Sequence, residues 1–150
     1  SAASDVYKRQ RFWGTMVWDA TDDSYLLFGG HDDQSLGNRN DVWRYYPDAE
    51  AWTKVGDGDV ADAGATGACE LPVNFVDVDT TLPERRNAGT MVWAGACGHA
   101  LLFGGKTDCG AINDVWSATL AGWTERMPAT VGEACTRWRA DVQNCVNFCF

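Results

Sequence analysis

The sequence has no apolar run approaching the roughly 18 to 20 residues that a membrane-spanning helix requires, and its start lacks the basic-then-apolar layout of a secretory signal. Basic side chains are scarce. Lys and Arg number 12 against 21 Asp and Glu, a net charge of −9, so a surface built to neutralise phosphate or anionic lipid is excluded as the main role. Neither nucleic acid nor a membrane is an expected partner. Histidine occurs twice and proline four times, and no Cys-x-x-Cys pair is present, which removes the common zinc layouts. A 3.6-residue period is absent apart from a weak case at the C-terminus. What is present is a chain of 150 residues, 45% hydrophobic, the size of one domain able to bury a core. It carries 16 Gly and 8 Trp, an excess that asks for a systematic cause.

The cause is an internal repeat. GTMVW at residues 14–18 recurs at 89–93, LLFGG at 26–30 recurs at 101–105, NDVW at 40–43 recurs at 113–116, and the pair Trp52-Thr53 recurs as Trp123-Thr124. The offsets are 75, 75, 73 and 71, so register is lost only between blocks, where loops belong. Each block is a short β-branched or aromatic run bounded by Gly, Asp or Asn, the pattern of a strand. Four strands per unit are predicted: A over 14–19, B over 25–30, C over 41–46 and D over 51–55. The second set covers 89–94, 100–105, 114–118 and 122–126. Six tryptophans fall into equivalent pairs (Trp18/Trp93, Trp43/Trp116, Trp52/Trp123), expected to fill the space between one sheet and the next. Gly29-Gly30 and Gly104-Gly105 close strand B, where a residue without Cβ permits positive φ. No helix pattern follows either doublet, so neither is a phosphate loop.

A four-stranded unit with Gly-Gly closing its second strand, an aromatic in its third and a Trp in its fourth resembles the kelch repeat. LLFGG and NDVWRYYPDAEAWTKV are especially similar to the kelch and galactose-oxidase-like group. The resemblance implies an all-β fold of two four-stranded antiparallel kelch-type blades, part of an incomplete β-propeller. Blade 1 is expected over 11–55 and blade 2 over 86–127, separated by an inserted inter-blade loop at 56–85. Two blades are fewer than the four to eight with which propellers close, so the chain is expected to be a fragment, its remaining blades being partners in the full protein. Residues 1–10, SAASDVYKRQ, fit no strand and resemble translated adaptor sequence; they are expected to be non-native or disordered. Residues 128–150 are expected to be a cysteine-containing tail or the start of a further blade or module.

All six cysteines lie at or after Cys69, and an even number suits an oxidised framework, favouring an extracellular or lumenal location. Six allow 15 pairings. Blade topology puts Cys69 and Cys109 on one face and Cys97 on the other, making Cys69 with Cys109 the preferred pair. His31 follows strand B whereas His99 precedes it, so a two-histidine metal site is not expected. No metal or cofactor is assigned and no catalytic residue is identified. Asn40-Asp41 and Asn113-Asp114 recur, and are expected to cap the start of strand C through side-chain to backbone bonds. The loops after strand B, 31–39 and 106–112, together with the insertion, are expected to share one face. Candidate contacts there are His31, Asp32, Asp33, Asn38, Arg39, Lys106 and Asp108, facing a protein or glycan ligand. Residues marking the repeat itself are Gly29, Gly30, Trp43, Trp52, Gly104, Gly105, Trp116 and Trp123. The alternative is a fragment of a kelch-propeller enzyme, an oxidase or sugar epimerase, whose active site lies in missing blades.

Overall fold

The computed structural model describes residues 11–32, 37–61, 75–77, 81–107 and 110–129. The strands of the first unit are β1 (Arg11–Phe12), β2 (Thr15–Asp19), β3 (Ser24–Phe28), β4 (His31–Asp32), β5 (Gly37–Asn38), β6 (Val42–Tyr46) and β7 (Ala51–Gly56). The insertion carries β8 (Val60–Ala61) and β9 (Phe75–Asp77). The second unit comprises β10 (Arg86–Asn87), β11 (Thr90–Ala94), β12 (His99–Thr107), β13 (Gly110–Thr119) and β14 (Gly122–Met127). The described residues are all-β apart from one short 3₁₀ turn, Gly95–Cys97.

Two antiparallel sheets share one topology. The first runs β2-β3-β6-β7, and the second runs β11-β12-β13-β14 with β10 added to the far end of β12. In each, neighbours in sequence are neighbours in space, because turns such as Pro47 to Glu50 reverse the chain directly. The units differ beyond the double glycine. In the first, the chain leaves the main sheet at Gly29-Gly30, and β4 pairs with β1 and β5 as a separate three-stranded ladder. In the second, β12 and β13 stay paired past Gly105, through an irregularity between Phe103 and Gly105, to Thr107 opposite Gly110. The insertion, expected as a loop, contains a ladder between β8 and β9.

Side chains alternate between the faces of a strand, and the two sheets use opposite faces. Leu26, Phe28 and Val42 of the first sheet join Met91, Ala100, Leu102, Trp116 and Ala118 of the second in a single buried cluster, against which Val17, Trp93 and Trp123 pack. The rings of Phe28 and Trp123 meet edge to face, 4.9 Å between centroids. Of the paired tryptophans, Trp93, Trp116 and Trp123 therefore occupy the space between sheets. Trp18, Trp43 and Trp52 lie on the outer face of the first sheet, where no further sheet covers them among the described residues. There Trp18 meets Tyr25 edge to face, Trp52 packs beside Tyr45, and the Lys54 ammonium sits 5.9 Å from the Trp43 ring.

Candidate functional site

The end of the molecule beyond the double glycines is held by a backbone strap between the units. Gly29 and Gly30 adopt φ of 64° and 97°. A Cβ on Gly29 would lie 2.7 Å from the Arg86 carbonyl oxygen, so only glycine lets the two chains approach this closely. The Gly30 N–H donates to the Arg86 carbonyl (2.9 Å), the Arg86 N–H to Arg39 (3.0 Å), the Arg39 N–H to Gly30 (2.9 Å) and the Ala88 N–H to Trp13 (2.8 Å). Side chains extend the strap. Asn87 Nδ2 donates to Asn38 Oδ1 at 2.7 Å, and Asn38 Nδ2 donates to the Lys106 carbonyl at 3.3 Å.

This arrangement separates the candidate contact residues into two sorts. His31 is half-buried at the surface with Nδ1 3.3 Å from Asn38 Oδ1, and Lys106 is exposed. Asp32 and Asn38 are buried, Asp32 in an ion pair with Arg39 (2.8 Å) and Asn38 inside the strap. Both are therefore committed to holding the loop, and among the described candidates His31, Lys106 and the half-buried Arg39 are the side chains that reach the surface. Asp33, Asp108, Cys69 and Cys109 lie outside the described residues. Cys97, in the turn between β11 and β12, is exposed and not disulfide-bonded. The ends of the insertion meet at this same end of the molecule: Asn40 Nδ2 donates to Asp59 Oδ2 (3.0 Å) and to the Pro83 carbonyl (3.1 Å), and the Asp59 N–H donates to Asn40 Oδ1 (2.9 Å).

Each unit also contains an arrangement that its sequence pattern did not suggest. Arg11 donates through both terminal nitrogens to Asp41 (2.5 and 2.6 Å), and Asp41 Oδ2 accepts from Trp43 Nε1 (3.0 Å). Seventy-five residues on, Arg86 donates to both oxygens of Asp114 (2.5 and 2.8 Å), whose Oδ2 accepts from Trp116 Nε1 (2.7 Å). Arg11 and Arg86 each donate in addition to the carbonyl of the first glycine of the doublet, Gly29 and Gly104. The recurrent Asp thus binds a guanidinium and an indole, where a backbone cap was expected. A planar fork opposite a carboxylate is the geometry that makes this pair directional. Its signal in sequence was the recurrence of Arg at 11 and 86 with the offset of the first blocks.

Between the sheets a cleft of about 390 Å³ runs from Asn40 and Gly58, near the double-glycine end, to Asp19 and Asp22 at the other, with Arg44 on one wall and Trp93 and Trp123 on the other. Arg44 is buried and pairs with Asp19 and Asp22, each at 2.8 Å, while donating to Ser24 Oγ. Burial works against ionisation of Asp19, but bonds from the Thr21 hydroxyl and N–H and from Arg44 outweigh it and hold its carboxyl below the ordinary 3.8. Burial and a hydrogen bond donated to Asp22 push the Tyr46 hydroxyl upward. The three charges of the cluster satisfy one another within the first unit.

Among the described residues, no three His, Cys, Asp or Glu side chains converge as a metal site would require. No helix among them is long and apolar enough to cross a membrane. No protein-family model matches the chain, and no curated protein matches it.

Proposed function

We propose that the two sheets are kelch-type blades of a β-propeller, and that the propeller is a scaffold presenting a binding face at the end beyond the double glycines. The observation that carries this reading is the strap from Gly30 and Arg39 to Arg86, extended by Asn38 to Lys106, which fixes segments of two successive units into one surface. Recognition residues are disproportionately carried by loops that a rigid scaffold positions. His31 and Lys106 supply a ring and a cation at that surface, suited to an acidic or hydroxyl-rich protein or glycan ligand. Blade stacking is supported by the shared strand order and by the burial of opposite faces in the two units.

The double variant His31→Ala/Lys106→Ala tests the binding reading, because both side chains reach solvent and neither is part of the core. Its fold is checked by circular dichroism, and binding to an array of acidic and neutral glycans and to acidic peptides is compared with that of the parent chain. At least a tenfold loss of retained ligand is expected. Retention equal to the parent's, or no ligand retained by the parent, overturns the proposal.

A further inference from the structure

The string Leu-Leu-Phe occurs twice with opposite outcomes. In β3 it buries Leu26 and Phe28, at 5% and 1% exposure, whereas in β12 it buries Leu102 and leaves Phe103 53% exposed. The junction between the sheets is made by Val17, Leu26 and Phe28 packing on Met91, Trp93 and Leu102. Each of those six residues has an identical counterpart in the other unit, and the counterparts lie on the two outer faces. Val92, Leu101 and Phe103 line the face of the second sheet that no other sheet covers among the described residues, its free face, and Met16, Trp18 and Leu27 line the corresponding free face of the first. Met16, Trp18 and Val92 are 52%, 39% and 53% exposed.

We infer that a second copy of this chain docks head to tail on these faces, the free face of its first sheet seated on the free face of the second sheet of its neighbour. The junction would repeat the one already inside the chain. In the internal junction Ala118 lines the same cleft as Asp19 and Arg44, and Ala100, its cross-strand partner, lies in the buried cluster. On the free face of the first sheet Tyr25 and Tyr45 take the places of Ala100 and Ala118; on the free face of the second, Ala94 and Ser117 take those of Asp19 and Arg44. Ala94 is again a small residue facing large ones, whereas Ser117, 1% exposed, is covered by Arg126, whose Nε donates to its Oγ at 2.7 Å. His99, in the place of Ser24, has Nδ1 3.1 Å from the carbonyl of Cys97 in its own turn. Because the two faces differ, the contact is heterologous and each copy carries one of each.

The test is the mass of the purified chain by light scattering across a concentration series, for the parent, Trp18→Glu and Phe103→Glu. The substituted side chains are partly exposed, and circular dichroism checks that both variants fold. The parent is expected at two or more times 16.4 kDa, each variant alone at 16.4 kDa, and an equimolar mixture of the variants at twice that mass. The mixture recovers one junction because Trp18→Glu retains the free face of the second sheet and Phe103→Glu retains that of the first. A monomeric parent, a variant that assembles by itself, or a mixture that stays monomeric overturns the inference. Closure into a ring of about two to four copies follows from the propeller reading above; an open filament would break that reading and leave the docking intact.

Discussion

Phe28 and Phe103 end the same Leu-Leu-Phe string in two units of the same topology, yet one is 1% and the other 53% exposed. Both lie beside a Thr-Met-Val-Trp strand, and what differs is the surface that each one faces. Each sheet is apolar on both faces, and among the described residues only one face of each has a neighbour. Where a soluble sheet has one wet face, its strands alternate apolar and polar. Met-Val-Trp and Leu-Leu-Phe do not alternate in that way, and the pattern records a sheet built to be covered twice.

That contrast can be broken most directly at the phenylalanines. In a Trp18→Glu background, where copies do not dock, Phe28→Ala should cost about 3–5 kcal/mol as a cavity opens between the sheets. Phe103→Ala should cost about 0.5 kcal/mol or less, as at an ordinary surface position. Denaturant unfolding measures both, and equal losses would mean that the sheets are not packed through the faces described. A smaller asymmetry is expected in the recurrent ion pairs. Arg86 and Asp114 are 1% and 4% exposed in their side chains, against 15% and 9% for Arg11 and Asp41. Asp114→Ala should therefore cost about 3–5 kcal/mol by stranding a buried guanidinium. Asp41→Ala should cost about 1–3 kcal/mol, since water reaches Arg11. The reverse order in unfolding experiments would contradict this account of the two pairs.

The smallest effect concerns acid. Asp19 has its carboxyl held below 3.8, and a group whose folded value is depressed contributes stability that is present above the unfolded value and lost as pH falls through the folded one. Its counterpart in the second unit is Ala94, which contributes nothing of the kind. Asp19→Asn should cost about 1–2 kcal/mol at neutral pH and flatten the fall in melting temperature below about pH 4. An unchanged acid limb in the variant would place the acid sensitivity elsewhere.

Much of the architecture was legible because repetition gave each strand two readings. The expected strands 14–19, 41–46 and 51–55 correspond to Thr15–Asp19, Val42–Tyr46 and Ala51–Gly56. The second hairpin was expected to end at Gly105, but its ladder continues to Thr107, where Lys106 and Thr107 pair with β10 on one side and with Ala111 and Gly110 on the other. Which face each sheet buries was hidden: with both faces apolar, alternation gives no direction, and only the neighbour decides. The Arg11–Asp41 pair joins residues 30 apart in the chain, beyond the reach of local pattern. Asp32 and Asn38 look like surface ligands by composition; their burial depends on the strap to Arg86 and Asn87, a contact between units.

The hydrogen bond from Asn38 to the Lys106 carbonyl has a consequence for any ligand that touches both units. The spacing between His31 and the Lys106 main chain is set before the ligand arrives, by side chains already immobilised in the fold. Ordering a flexible loop on association costs roughly 0.5–1.5 kcal/mol for each side chain fixed. Here much of that entropy has already been lost during folding, so recognition at this surface favours slow release and penalises a ligand whose two contacts are wrongly spaced.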